Sequence, residues 1–243
     1  MAETTDRPAF YALPPGGWRD YWSLLHPPYT VWHLSYVVIG ACLAPALELQ
    51  WLLETLLAFF LAMGLAAHAL DELNGRPLRT RIPDGVLKAI AVIGLAGAIG
   101  LGIHGSLEVS VWLWAFIGAG VFLVVAYNLE LFGGAFHSNL WFAMAWGAFP
   151  VLTAYFAQAA TLRIEAVIAA GACAALSAAQ RVLSTPVRRL RRTIVTVSGQ
   201  LETVDGVREP IDVSTLRSAP EGALRWLSVA VPLVAAAMLV PRL

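Results

Sequence analysis

Apolar residues in this chain come in long unbroken runs. Seven such runs occupy residues 30–47, 51–70, 86–103, 109–127, 139–160, 164–183 and 223–240. Each approaches the ~20 apolar residues that an α-helix needs to cross a bilayer. The polar stretches between them are short except for residues 184–222. There, residues 193–204 and 207–213 are rich in β-branched side chains and flank Asp205-Gly206, a strong hairpin-turn signal. The pattern predicts an all-α integral membrane protein, a bundle of about seven transmembrane helices with a small cytoplasmic hairpin before the last. The organisation read from it is an N-terminal segment (residues 1–29), six spans (30–183), a basic hairpin loop (184–222) and a final span (223–243).

Composition agrees. The chain of 243 residues is 58% hydrophobic and 13% charged, against about 25% charged in soluble domains. It cannot cover its apolar surface with its own polar groups, so a lipid environment is expected. The formal net charge is zero, which argues against a nucleic-acid partner. Cys42 and Cys173 each fall inside an apolar run, as buried thiols rather than a disulfide framework. The segment before Tyr29 lacks the basic-then-apolar layout of a cleaved signal, so the first span is expected to be retained. In Gly17–Tyr29, Trp18, Tyr21, Trp22, Leu25 and Tyr29 recur at helical spacing, as in an interfacial helix.

The cations set the orientation. Fourteen of the sixteen Lys and Arg residues fall before the first run, or between the second and third or the sixth and seventh runs and in the ends that face those loops. Those segments are predicted to be cytoplasmic, with the N-terminus inside. The run Arg188-Arg189-Leu190-Arg191-Arg192 is expected to meet anionic lipid heads or, alternatively, a substrate phosphate.

Charged groups at the edge of a membrane span are costly and therefore candidates for chemistry. The second run ends with His68, Asp71, Glu72, Asn74 and Arg76. His68, Asp71 and Glu72 sit at i, i+3 and i+4, which predicts one shared helix face. Oxygen donors there suit Mg²⁺, and an accompanying histidine suits Zn²⁺ or iron. The other reading of the same residues is a wetted helix end in which a carboxylate pairs with Arg76 or Arg79. A second group, Tyr127, Asn128, Glu130 and His137, is expected on the same side, so that His68, Asp71, Glu72, Glu130 and His137 converge as metal ligands. His33, Tyr36, Gln158, Ser177 and Gln180 lie within runs and fit interhelical hydrogen bonds. Trp141, Trp146, Phe149 and Tyr155 are candidates for lining an apolar chain-binding groove or for plain packing. Small residues at 94, 97, 100 and 169–171 predict close helix approach within or between chains.

The order of these features resembles the UbiA superfamily of intramembrane prenyltransferases. His26-Pro27-Pro28 with Val38-Ile39-Gly40-Ala41 is similar to the family's entry into its first span. Asp71 through Arg76-Pro77-Leu78 falls where the family carries its first Asp-rich motif. Tyr127-Asn128-Leu129 and Trp146-Gly147-Ala148-Phe149-Pro150 are similar to its span-four end and its Trp-Gly-x-x-Pro. The resemblance covers about residues 26–160. It implies Mg²⁺ held against an isoprenyl diphosphate at the cytoplasmic face, with Asp71 and Glu72 as catalytic and metal-binding residues. Asn74, Arg76, Tyr127, Asn128, Arg181 and Arg188 would bind substrate.

The chain departs from the family at several points. His68 stands where an Asn or Asp is common, and Glu130-Leu131 replaces a basic pair. Residues 180–188 contain no acid where a second Asp-rich motif belongs, and the runs number two fewer than the usual nine. Either Arg181, Arg188 and Arg189 then hold a phosphate in place of that motif, or the chemistry differs. Three functions follow as expectations: a divergent prenyl-diphosphate enzyme, a His/carboxylate Zn²⁺ or iron enzyme acting on a membrane lipid, or a non-catalytic membrane protein that binds lipid or a partner.

Overall fold

The computed structural model describes residues 7–243. A short helix α1 (Trp18–Leu24) leads into α2 (Pro27–Leu43). Then follow α3 (Leu49–Leu73), α4 (Asp84–Glu108), α5 (Leu113–Asn128), α6 (Asn139–Ala159) and α7 (Ile164–Arg192). A two-stranded antiparallel hairpin, β1 (Gly199–Glu202) and β2 (Arg208–Ile211), precedes α8 (Val213–Leu239).

Five helices, α3, α4, α6, α7 and α8, are long and apolar enough to cross a membrane. Large apolar side chains such as Ile93, Ile168 and Trp226 lie on their outer surfaces, each about two-thirds exposed or more. In water such a surface would drive aggregation, whereas lipid covers it at no cost. The chain is a helical integral membrane protein.

Two further helices, α5 and α2, differ for physical reasons. α5 is apolar but only 16 residues long. α2, at 17 residues, is the central post, and its Trp32, Tyr36 and Ile39 pack against Val151 of α6, Cys173 of α7 and Val231 of α8. Because protein rather than lipid surrounds it, α2 can carry Thr30, His33 and Ser35 buried. Gly40 of α2 lies directly against the Val151 backbone, so any side chain there would push α2 and α6 apart. Gly147 plays the same part between α6 and α7: a Cβ there would sit 2.6 Å from the Cys173 carbonyl oxygen.

α1 presents Trp18, Tyr21 and Trp22 outward and buries Asp20, which accepts from the Gly16 and Arg81 amides at 3.0 and 3.1 Å. The interfacial helix expected over residues 17–29 breaks at His26, whose backbone is left-handed (φ 48°), and α2 restarts at Pro27. Proline favours a helix's first turn, where its missing N–H has no partner to lose.

The basic run is helical, against the expectation of a loop from residue 184. α7 continues through Pro186 to Arg192, and α8 starts at Val213, ten residues before the expected span. Arginines in the last turn of α7 complement the negative end of its dipole. At α8, the Asp212 carboxylate accepts from the Thr215 amide at 2.8 Å, and the Thr215 hydroxyl accepts from the Asp212 amide at 3.3 Å, a complete capping box. The non-helical connection shrinks to residues 193–212. Its turn forms where Asp205-Gly206 predicts it, with Gly206 at φ 82°.

Candidate functional site

The end of α3 divides two neighbouring carboxylates between two tasks. Gly75 and Arg76 adopt left-handed backbone (φ 91° and 53°), which turns the chain back on itself. The returning segment donates the Leu78 amide (2.9 Å), the Thr80 amide (2.8 Å) and the Thr80 hydroxyl (2.8 Å) to the Glu72 carboxylate, which is fully buried. Arg76 donates to the Ile82 carbonyl at 2.6 Å and pairs with Asp84. Glu72 and Arg76 therefore clasp the loop and do not line the cavity, a correction to their expected catalytic, metal-binding and substrate-binding roles. Successive helical residues point about 100° apart, so Asp71 faces a different way from Glu72.

Asp71 lines a polar cavity of about 280 Å³. With it stand His68 of α3, Asn74 just after it, Tyr127 and Asn128 of α5, and Glu130 and His137 from the following loop. α7 adds Gln180, Arg181, Arg188 and Arg192, which share a face because they recur at helical spacing. The expected Arg189 is exposed and lines no part of it; Arg192 takes its place. Of the polar candidates named for this site from sequence, Glu72, Arg76 and Arg189 are turned elsewhere.

The polar groups are held by defined contacts. The Arg181 guanidinium donates to the Tyr127 hydroxyl and to Asn139 Oδ1, the latter at 2.7 Å, and lies over the Phe142 ring at 5.4 Å. His137 has Nδ1 3.1 Å from the Tyr127 carbonyl oxygen, its ring stacked on Tyr127. His68 has Nδ1 3.0 Å from the Gly64 carbonyl oxygen. His33 and Gln180 meet at 2.9 Å, buried between α2 and α7. Asn74 donates to the Asn128 carbonyl at 3.3 Å, tying α3 to α5.

Two features have only weak signals in the sequence. His26 reaches the cavity from the α1–α2 break and stacks on His68 with ring centroids 4.2 Å apart. Burial, the nearby His68 and surrounding arginines hold its pKa well below the usual histidine range. Its Nε2 is buried with no hydrogen-bond partner among the described residues. The N-terminal segment, residues 8–11, closes one side of the cavity. It is tied down by Arg191 donating to the Arg7 carbonyl (3.1 Å) and Arg192 to the Pro8 carbonyl (3.2 Å). Tyr11 packs on His26 and Tyr29, and burial pushes its pKa far up, so its hydroxyl keeps its proton. The proline and aromatic residues at 8–11 were the available signal, and no periodicity marks them as part of a site.

Among the described residues no group of three or more His, Cys, Asp or Glu side chains is placed to hold a metal ion. Of the expected set, Glu72 is spent on its loop, while His68, Asp71, Glu130 and His137 line the same cavity. The described residues assemble no closed donor set of the kind Zn²⁺ or iron takes.

A second cavity, apolar and about 110 Å³, lies between α3, α4, α5 and α6. Met63, Ile99, Phe116 and Phe149 are among its walls. π-helical turns at Phe60–Ala67 and Met144–Ala148 widen α3 and α6 beside it. Trp146 lines both cavities. Of the aromatics expected in a groove, Trp146 and Phe149 are there, while Tyr155 is buried elsewhere and donates to Glu165 at 2.6 Å. Comparison with protein-family models, with curated proteins and with solved structures finds no match.

Proposed function

We propose that this chain is an intramembrane enzyme of the UbiA type acting on an amphipathic lipid with a phosphate-bearing head, and that α2 to α8 form seven spans with the N-terminus and polar cavity at the cytoplasmic face. One observation carries the reading: an arginine-rich polar cavity adjoins an almost wholly apolar one, with Trp146 in the wall of both. That is the shape of a ligand with an anionic head and a hydrocarbon tail. The order of the sequence motifs and the cation asymmetry support the family and the orientation.

The chemistry that fits these residues is transfer of the lipid's hydrocarbon group. The C–O bond to the phosphate breaks and the anion leaves onto the guanidinium groups. The rings of Tyr127, Phe142 and Trp146 stabilise the allylic cation. An acceptor attacks that cation, and Asp71 takes the acceptor's proton. A Zn²⁺ or iron reading needs a donor set that the described residues do not assemble.

The test is turnover by the purified full chain of farnesyl diphosphate in the presence of a membrane-lipid extract, with Mg²⁺ or with excess EDTA, read as release of diphosphate. Asp71→Asn should lower the rate ~100-fold or more, the typical worth of a positioned base, while leaving lipid binding intact. Stoichiometric binding without any turnover would reduce the protein to a lipid binder. Absence of both would end the reading.

A further inference from the structure

Among the described residues, several arginines are held by carboxylates, and those of the polar cavity are not. Arg191 and Arg225 both pair with Glu221, Arg76 with Asp84 and Arg208 with Glu202. Arg181, Arg188 and Arg192 touch neutral oxygens instead. Arg181 meets Tyr127 and Asn139, Arg188 donates to the Thr185 hydroxyl at 3.3 Å, and Arg192 donates to the Pro8 carbonyl at 3.2 Å. Among the described residues none of the three makes an ion pair with a carboxylate.

Charge brought out of water is costly unless an opposite charge meets it. The acids lining the cavity are Asp71 and Glu130, and the Glu130 side chain is half exposed at 53%. Three guanidinium groups thus face two carboxylates around one space, and an anion completes the balance. His26 Nε2 lies in the same wall, buried with no hydrogen-bond partner among the described residues.

A divalent cation fits this space poorly. Mg²⁺ needs several oxygen ligands at short range. The carboxylate beside Asp71 is consumed by the Leu78 and Thr80 amides, and three guanidinium groups repel a dication. A phosphate group suits it, since its oxygens match the planar fork of arginine donors.

We propose that the cavity takes the phosphate of its lipid directly on Arg181, Arg188 and Arg192, without a divalent cation. This rests on the lipid reading above and fixes how the head is held.

The probe is farnesyl monophosphate, titrated against the purified full chain in detergent with Mg²⁺ or with excess EDTA. The Kd should agree within about twofold between the two conditions, since the guanidinium hydrogen bonds do not involve the metal. The double substitution Arg188→Gln with Arg192→Gln should weaken binding ~10-fold or more, as expected for losing charged hydrogen bonds. Arg189→Gln, on the exposed side of the same helix, should bind as the wild type and controls for general damage to α7. Binding only with Mg²⁺ would overturn the proposal and leave the lipid reading standing. Equal binding by the double variant would also overturn it, assigning the arginines to the helix dipole and the membrane surface. No binding in either condition would remove both the proposal and the lipid reading. Inorganic phosphate should compete only weakly; if it alone binds, the occupant is a free anion and the lipid assignment fails.

Discussion

Asp71 and Glu72 show how one residue's shift in sequence changes its task. Both are carboxylates at the same helix end, yet one faces an open cavity and the other holds a loop through three hydrogen bonds. A buried acceptor of that kind is expensive to disturb. Glu72→Gln places an amide NH₂ against N–H and O–H donors and should destabilise the fold by about 2 kcal/mol. Thermal unfolding in detergent would read this as a lower midpoint, with lipid affinity unchanged at temperatures where the variant is folded. A variant as stable as the wild type would show that the clasp is dispensable. The Arg76-Pro77-Leu78 signature belongs to the same clasp, with Arg76 fastening the loop to Asp84 and Ile82.

At the scale of elements, capping and periodicity explain where helices begin and which faces they share. Asp212 caps α8, and hydrogen bonds from Ser214 first, then Thr215, depress its pKa to about 2. A depressed carboxylate favours the folded state when ionised. The cap's contribution is therefore complete above the unfolded value of about 3.9 and is lost as pH falls toward 2. A carbon-detected NMR titration of Asp212 should show a midpoint near 2, with the Thr215 amide shifting in step. A midpoint near an unperturbed Asp would mean the capping box does not form in solution. The hairpin turn was legible because Asp-Gly is a local signal, whereas the Asp212 cap was not, since residues 207–213 look like a strand and the apolar run starts only at 223. The continuation of α7 beyond residue 183 was not, because an apolar-run reading stops where arginines begin, although helical hydrogen bonding does not.

Across the whole molecule, the proposed arrangement places the polar cavity, hairpin and N-terminal segment at one membrane face. Single cysteines test it cleanly because Cys42 and Cys173 are buried. Gly206→Cys, at the hairpin turn, should react with an impermeant maleimide only after cells are permeabilised. Arg163→Cys, before α7, should react in intact cells. The reverse pattern would invert the topology and put the cavity outside.

The sequence by itself determined where the apolar helices run, where the hairpin turns, and that Asp71, Tyr127, Asn128, Arg181 and Arg188 belong near one end of the bundle. Run length, local turn chemistry and loop alternation act over short stretches of chain, so a linear reading captures them. Only the tertiary structure decided that Asp71 and not Glu72 faces the cavity, that Arg192 and not Arg189 joins it, and that α2 is enclosed by protein. It also brought in His26 and residues 8–11 and put Trp146 between a polar and an apolar space. These depend on how each helix is rotated against its neighbours and on loops folding back over distances that no periodicity records. Packing contacts between distant segments set that rotation, as Gly40 against Val151 and Gly147 against Cys173 do here.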